Sequence, residues 1–397
     1  MDQALQKNSM DAATVVIAAL VVSAIGALFY NVLPLYLGTA QDYRDLDNRA
    51  IGFLSSSFFA GFNLVTISAF FWIRRLSWSA IVAVATPLAA LSLYAGTLFD
   101  SYAALLLATA IAGGAFAALY GVGTTILGDT SNPARWYGVK IAAEAFPGVV
   151  LLLVLPSTAI ARWGFDGAII GIIVVLIFLS PFLFWIPAAG SKGDQHLAES
   201  QSSLRAPQSP YIWMTLAAVL LFFSGASAMW AFVERIAARG GFDPSSVGVL
   251  LSVTLIFAVL GSLLAAAIGG RYGNARPFVA GAALFLLSLL LLNAPDTFTD
   301  YAIGACVLTF SIGFLLPVAV TEVAELDHDG RFIVLSVPAI GIGAMTGPGI
   351  AGTLAQSGDF LPLLIFGAVM MIISTLLITV AAGRARPAAA RESQAEV

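Results

Sequence analysis

Twelve apolar segments follow one another along the chain and constrain its fold more than any other feature. About 20 predominantly apolar residues cross the hydrocarbon core of a membrane as a helix. Backbone amides must be satisfied internally in lipid, so segments of this kind form helices. We therefore predict an all-α integral membrane protein with transmembrane helices at approximately 12–38, 50–73, 78–99, 102–128, 135–161, 165–187, 211–238, 246–269, 276–294, 299–325, 331–357 and 360–382.

The composition excludes most other classes of protein. Hydrophobic residues make up 59% of the 397 and charged residues only 10%, whereas about 25% of a soluble domain is charged. The single cysteine, Cys306, lies in an apolar segment, and His196 and His328 lie in predicted loops, so no disulfide, metal site or cofactor is expected. A net charge of −4 does not favour a nucleic-acid partner. The chain also lacks the GxSxG, HExxH and phosphate-loop motifs, so an enzyme is not expected.

A single long polar insert divides the apolar segments into two sets of six. Residues 188–210 are rich in serine, glutamine and charge, which predicts a cytoplasmic linker between bundles at 12–187 and 211–383. Residues 384–397 are polar and alanine-rich and are predicted to be a disordered cytoplasmic tail. An even number of crossings puts both termini on one side, which carries twelve basic residues against five on the other. By the positive-inside bias, both termini are expected in the cytoplasm and the protein in the inner membrane.

The two sets of segments repeat each other at an offset of 196 residues. The matching positions are glycines and charged residues at predicted helix ends. Apolar residues are so common in this chain that they match by chance, whereas these residue types do so less easily. They are Gly52 with Gly248, Arg75 with Arg271, Asp100 with Asp296, Asp129 with Glu325, and Arg135 with Arg331. Each pair falls at corresponding ends, so the predicted duplication is parallel. Parallel repeats are related by an axis along the membrane normal, with the solute site between them near the midplane.

Two short motifs are similar to those of a known transporter family. The loop GGRYGNAR, from Gly269 to Arg276, keeps the basic residues and Gly273 of a glycine-rich family loop, with Gly270 where that loop has Asp. A GPGIAG stretch begins at Gly347. With its twelve segments, the chain resembles the major facilitator superfamily of secondary transporters. The resemblance implies two parallel six-helix bundles that work by alternating access around a central site.

Two charged residues lie deep within the fifth apolar segment. Lys140 and Glu144 are four residues apart, so on a helix they share one face and can pair. A helix that begins near Ala134 puts Glu144 about 15 Å along its axis, close to the bilayer midplane. Ionisable groups at this depth usually face a bundle interior or a water-filled path. We predict that the pair lies on the solute and proton pathway; the alternative is a static ion pair that fastens this helix to a neighbour.

Further polar and aromatic residues are candidates for the same pathway. Arg235, next to Glu234 near the outer end of the seventh segment, offers a planar fork for a carboxylate if it faces inward. The alternative is an interfacial charge pair. Aromatic walls with a few polar contacts suit small organic solutes, although aromatic residues at helix ends also serve as interfacial anchors. The candidate aromatic and polar lining residues are Tyr30, Asn31, Tyr120 and Trp230.

Charged residues at the predicted cytoplasmic helix ends form a candidate gate. Glu322 and Glu325 end the tenth segment, and the repeat matches Glu325 with Asp129. These acids either cap basic residues at the start of the next helix or join across the halves to close the inner mouth. The candidate gate residues are Asp129, Arg135, Arg271, Glu322, Glu325 and Arg331.

These features predict a secondary transporter that moves a small organic solute and is a monomer in membrane lipid. Proton coupling through Glu144 is expected because a buried carboxylate titrates and the sequence contains no visible ion cage. Arg235 and Lys140 favour uptake of an organic anion. The alternative is proton-driven efflux of amphipathic compounds or drugs, which the aromatic residues and the stretch at 347–349 favour. A non-transporting membrane receptor is a remote alternative.

Overall fold

The structure, a computed structural model, describes residues 9–190, 211–327 and 332–395. Twelve α-helices account for most of these residues. In chain order they are α1 (Ala13–Arg44), α2 (Asn48–Trp72), α3 (Trp78–Leu98), α4 (Tyr102–Gly128), α5 (Pro133–Val154), α6 (Ala161–Leu179), α7 (Tyr211–Arg239), α8 (Pro244–Ile268), α9 (Ala275–Leu292), α10 (Phe298–Leu326), α11 (Ser336–Leu354) and α12 (Leu361–Ala395).

Eleven spans within the described residues are long and apolar enough to cross a membrane. Ten of them each lie within one helix, whereas the span from Arg135 to Trp185 has 51 residues and contains most of α5 and all of α6. The protein is therefore an all-helical, multi-pass membrane protein, as predicted. The helix α12 continues to Ala395, so the backbone is helical in most of the tail that was predicted to be disordered.

The chain reverses direction between α5 and α6. Pro156–Ile160 forms a π-helical turn, and Gly164 adopts a φ of 54°, a left-handed conformation that favours glycine. A Cβ atom added at Gly167 would meet the backbone of Ala159, and one at Gly171 would meet the side chain of Leu155. Four residues further along α6, from Gly167 to Gly171, the contacted residue lies four positions earlier in the chain. This is the pattern of an antiparallel hairpin.

The helices form two compact units. Unit 1 comprises Met1–Tyr36 and Ala60–Arg205, and unit 2 comprises Leu37–Phe59 and Ala206–Val397. The boundary at residue 205 falls within the predicted linker, most of which lies outside the described residues. Unit 2 also includes the end of α1 and the beginning of α2, which the sequence analysis assigned to the amino-terminal bundle.

Unit 1 is built around an aromatic core that connects α1, α4 and α6. The rings of Phe29 and Tyr36 lie 4.7 Å apart, and those of Phe29 and Phe116 lie 5.9 Å apart. Tyr36 also lies 5.5 Å from the ring of Phe165, and its hydroxyl is 3.0 Å from that of Thr109. A buried tyrosine hydroxyl needs such a partner. These contacts fix α1, which supplies part of the site described below.

Unit 2 is built around α7, the most deeply buried of its spans. Gly343 and Gly347 of α11 lie directly against the backbone of α7, where a Cβ atom would overlap the carbonyl groups of Leu220 and Ser224. On α12, the Ser374 hydroxyl donates a 2.8 Å hydrogen bond to a carbonyl group of α7. Small residues at such crossings let helices approach closely in membranes.

A capping side chain determines where α8 begins. Asp243 precedes Pro244 and accepts hydrogen bonds from the backbone N–H and the hydroxyl of Ser246, at 2.8 and 2.9 Å. These bonds hold the pKa of the Asp243 carboxyl below its ordinary value. Proline at the first helical position and an acidic N-cap are common helix-start features.

Candidate functional site

Lys140 and Glu144 pair on α5, as their spacing predicts. The Lys140 Nζ atom lies 2.6 Å from Oε1 of Glu144. Lys140 is only 6% exposed, and the Glu144 side chain is 15% exposed. The ammonium group also lies over the ring of Tyr120 on α4, 4.0 Å from the ring centroid. A cation in this position is attracted by the negative face of the ring.

Two polar side chains of α1 reach the same residue of α5. The Ser23 hydroxyl donates to Oε1 of Glu144 at 2.5 Å, and the Asn31 amide donates to the backbone carbonyl of Glu144 at 2.7 Å. Pro147 lies one turn further along α5 and lacks an N–H, which interrupts the hydrogen bonding of the helix near this position. The backbone of α5 is therefore anchored to α1 next to the ion pair.

We refer to Ser23, Asn31, Tyr120, Lys140 and Glu144 as the α5 cluster. Its charged atoms are an ammonium and a carboxylate, surrounded by a hydroxyl, an amide and an aromatic face. The arrangement places a cation, a hydrogen-bonded carboxylate and an aromatic face within reach of a small ligand. The remaining exposure of Glu144 leaves its carboxylate accessible to a proton or a solute.

The other predicted lining residues are divided between the two units. Tyr30 is half-buried on α1, next to Asn31 of the α5 cluster. Trp230 belongs to unit 2 and is 3% exposed within α7. Cluster residue Tyr120 and neighbouring Tyr30 thus lie in unit 1, whereas Trp230 does not.

Arg235 lies in a second polar cluster, entirely within unit 2. It donates to Glu234 through Nε at 2.5 Å and Nη2 at 2.7 Å, to Asp42 through Nη1 at 2.6 Å and Nη2 at 3.1 Å, and to Gln41 through Nη1 at 3.3 Å. A guanidinium group has five N–H donors, so in this arrangement none remains for a solute carboxylate. We call these four residues the Arg235 cluster.

At the end of α4, the candidate gate residue Asp129 has a partner that the sequence analysis did not select. The buried Asp129 carboxylate accepts hydrogen bonds from Nη1 and Nη2 of Arg74, at 2.6 and 2.8 Å. Arg135, one of its predicted partners, is exposed and lies 5.0 Å from the ring centroid of neighbouring Trp136. A two-point contact of this kind is the stronger form of an arginine–carboxylate pair.

In unit 2 the remaining candidate gate residues have different environments. Glu322 is 3% exposed and accepts a 2.9 Å hydrogen bond from the Asn274 side chain. Glu325 and Arg271 are exposed. Arg331 lies outside the described residues. Each unit therefore contains one buried candidate gate acid, Asp129 in unit 1 and Glu322 in unit 2. Each of these acids is hydrogen-bonded to a residue that was not predicted as its partner.

One of the missed residues carried a signal in the sequence. Ser23 precedes Tyr30 by seven residues and Asn31 by eight, so the three lie near one face of α1. The missed Asp42 lies beyond the first predicted apolar segment, which ends at residue 38. Among the described residues there is no group of three or more histidine, cysteine, aspartate or glutamate side chains that could hold a metal ion.

The apolar helices define a class, the helical multi-pass membrane proteins. Residues 214–397 match the family described as Major Facilitator Superfamily. This match covers 184 of the 397 residues, just under half of the chain.

Similar proteins include one curated transporter and several solved structures. The putative transporter AraJ of Escherichia coli (strain K12) is 25% identical over 201 residues, which are 49% of this chain and 50% of AraJ. The nucleoside transporter NupG has a TM-score of 0.68 at 14% identity, over 92% of this chain and 98% of that one. The D-xylose–proton symporter has a TM-score of 0.73 at 12% identity, over 92% and 96% of the two chains. These structures share the fold, and the chain spans about half the length of the curated relative that it matches.

Proposed function

We propose that the protein takes up a small organic anion together with a proton, and that both bind at the α5 cluster. One observation carries the proposal. A nearly buried ammonium group, that of Lys140, is paired with a single described carboxylate, that of Glu144, which can be protonated.

Protonation of Glu144 and binding of an anion are linked through Lys140. A neutral Glu144 leaves the buried ammonium without a counter-charge, and an unpaired buried charge is strongly unfavourable. An anionic solute removes that cost by taking the place of the carboxylate. An anion that arrives without a proton instead meets the negative charge of Glu144. Each ligand therefore increases the affinity for the other, as thermodynamic linkage requires, and the coupled cycle moves no net charge for a monovalent anion.

The surroundings of the pair favour an organic solute. Tyr120 offers an aromatic face beside the ammonium group, and the hydroxyl and amide groups of Ser23 and Asn31 lie on the adjacent helix. Sites for small molecules combine apolar walls with a few polar groups that fix orientation. Proton coupling, which we also propose here, has a precedent in one fold neighbour, the D-xylose–proton symporter.

Two sequence features have other structural explanations. These features are Arg235, considered above as a ligand for the anion, and the stretch at 347–349, considered above as a sign of export. Arg235 makes five hydrogen bonds within its own cluster, so we assign the anion to Lys140 alone. The glycines at 343 and 347 allow α11 to approach α7, and the stretch at 347–349 therefore needs no role in export. Uptake is the direction that we propose.

We further propose twelve crossings arranged as two parallel six-helix repeats. The hairpin between α5 and α6 supports two crossings within the 51-residue span. The first residues of α2 and α8, and those of α4 and α10, lie 196 residues apart. Helix contacts correspond as well: Gly114 contacts Val65 in unit 1, and Gly261 contacts Phe310 in unit 2, again at that offset. In this topology a monomer lies in the inner membrane with both termini in the cytoplasm.

Transport by purified protein in proteoliposomes tests the proposed function. The vesicles carry an imposed pH gradient and are offered carboxylates, neutral sugars and cationic dyes. We expect the wild type to accumulate a carboxylate in response to the gradient. Glu144→Gln should retain exchange of that anion without response to the gradient, and Lys140→Ala should reduce transport by about tenfold or more. Asp296→Asn, at an exposed position, is the matched control and should behave as wild type.

A different pattern would contradict the proposal. If the wild type moves only cationic dyes and Glu144→Gln is unimpaired, the solute is not an anion and the Lys140–Glu144 pair is structural.

A further inference from the structure

Unit 2 contains a cavity that the proposed transport does not use. It has a volume of about 590 Å³ and lies between the α8–α9 loop with the start of α9 and the part of α12 at 379–383. Its lining includes Arg271, Tyr272, Arg276, Thr379 and Gly383. The volume is within the range of about 300–1,000 Å³ that is typical of small-molecule sites.

The cavity is positively charged. Among the residues that the structure describes, none that lines it is acidic, and neither Arg271 nor Arg276 forms an ion pair. Both arginines are exposed. Arg276 lies in the first turn of α9, whose amino end adds a partial positive charge. An anion held between the two guanidinium groups would offset this concentration of like charge.

The cavity lies beside exposed apolar surface. Leu376 and Val380 of α12 are 59% and 37% exposed, and Val279 of α9 is 45% exposed, each within about a turn of a lining residue. Exposed apolar side chains of this kind suit contact with acyl chains. Tyr272 is 63% exposed at the mouth of the cavity, and tyrosine is enriched where helices meet the headgroup layer.

We propose that this cavity binds the phosphate group of an anionic phospholipid, with Arg271 and Arg276 as the ligands. The planar guanidinium group matches phosphate oxygens through paired hydrogen bonds. The acyl chains then lie along the exposed apolar side chains of α9 and α12. In the proposed topology this end of unit 2 faces the cytoplasmic leaflet, where anionic lipids are attracted to basic pockets between helices. The site is separate from the α5 cluster.

Two variants of the full-length protein remove different parts of the site. Arg271→Gln with Arg276→Gln removes the charge, and Gly383→Trp fills the space while both arginines remain. A Cβ atom at Gly383 meets no atom within 4 Å, so the larger side chain has room to enter the cavity. Arg49→Gln with Arg162→Gln is the control, because these exposed arginines lie outside the cavity and the same charge is removed.

Native mass spectrometry of protein titrated with phosphatidylglycerol or phosphatidylcholine measures lipid retention. We expect wild type and control to retain phosphatidylglycerol in preference to phosphatidylcholine. The double glutamine variant should bind it about twenty-five-fold more weakly, since each basic residue near a membrane surface contributes about fivefold. Gly383→Trp should also lose retention. Equal retention by all four proteins would overturn the proposal.

A second measurement separates a lipid from a free anion. Thermal unfolding of wild type is followed with inorganic phosphate and with phosphatidylglycerol. Stabilisation by the lipid, reduced in both site variants and kept in the control, supports the proposal. Equal stabilisation by inorganic phosphate, without lipid retention, would overturn the lipid assignment in favour of a free-phosphate site.

Discussion

Replacing Gly38 by alanine tests whether the Arg235 cluster is closely packed. Gly38 lies on α1, and an added Cβ atom would lie against the carboxylate of Glu234 and 2.8 Å from Nη2 of Arg235. The ends of flexible side chains usually move aside. Here Arg235 is 6% exposed and Glu234 accepts two of its hydrogen bonds, at 2.5 and 2.7 Å. The methyl group therefore cannot enter without breaking part of the cluster.

The magnitude follows from the bonds that are lost. Displacing Glu234 removes two hydrogen bonds between charged groups, each worth about 1.5–3 kcal/mol. Replacing glycine by alanine within a helix contributes about 1 kcal/mol in the opposite direction. We therefore expect Gly38→Ala to lower the free energy of unfolding by about 2–5 kcal/mol.

Thermal unfolding in detergent measures this effect. A loss of this size should lower the midpoint by at least about 4 °C, since each kcal/mol corresponds to about 2–4 °C in a chain of 150–250 residues. The matched control is Gly138→Ala on α5, where an added Cβ atom meets no atom within 4 Å. That variant should be as stable as the wild type or slightly more stable.

An unchanged or raised midpoint for Gly38→Ala would refute the reasoning. Glu234 would then be free to move, and the five hydrogen bonds of Arg235 would not be a lasting constraint. The original prediction, a guanidinium fork for the solute carboxylate, would become the better explanation of Arg235.

Two further predictions concern buried contacts of unit 1. Asp129→Asn should lower the free energy of unfolding by about 3 kcal/mol, because Arg74 loses the charge of a partner whose side chain is only 1% exposed; thermal unfolding beside the exposed-site control Asp296→Asn checks this, and equal midpoints would contradict it. Gly61→Ala should reduce the yield of monodisperse protein in size-exclusion chromatography, because its Cβ atom would overlap the backbone of Ala110, which cannot rotate away; a wild-type yield would contradict the close crossing of α2 and α4.

Most helices could be predicted from the sequence because apolar length is a local property. The fourth predicted segment, 102–128, has the bounds of α4, and the seventh, 211–238, ends one residue before α7 does. The first was too short, since α1 continues to Arg44. Its last turns are polar, but backbone hydrogen bonds do not require apolar side chains, and Asp42 in this turn bonds to Arg235.

The partners of the charged residues were harder to predict, because they depend on tertiary packing. The Lys140–Glu144 pair was accessible from helix geometry alone, whereas Ser23 is 121 residues from Glu144 along the chain. Asp129 and Arg74 are 55 residues apart. Contacts between residues so far apart in the chain leave no periodic pattern in a single sequence.

The hydrogen bond of Asn31 reaches the main chain of residue 144 and not its side chain. A substitution at this position can therefore change the carboxylate while the anchor between α1 and α5 stays in place. Substitution of residue 144 by aspartate, glutamine or serine changes the acidity and the length of its side chain while the position of α5 stays the same. In this protein, the acid–base chemistry of that position can be altered independently of the architecture that holds it.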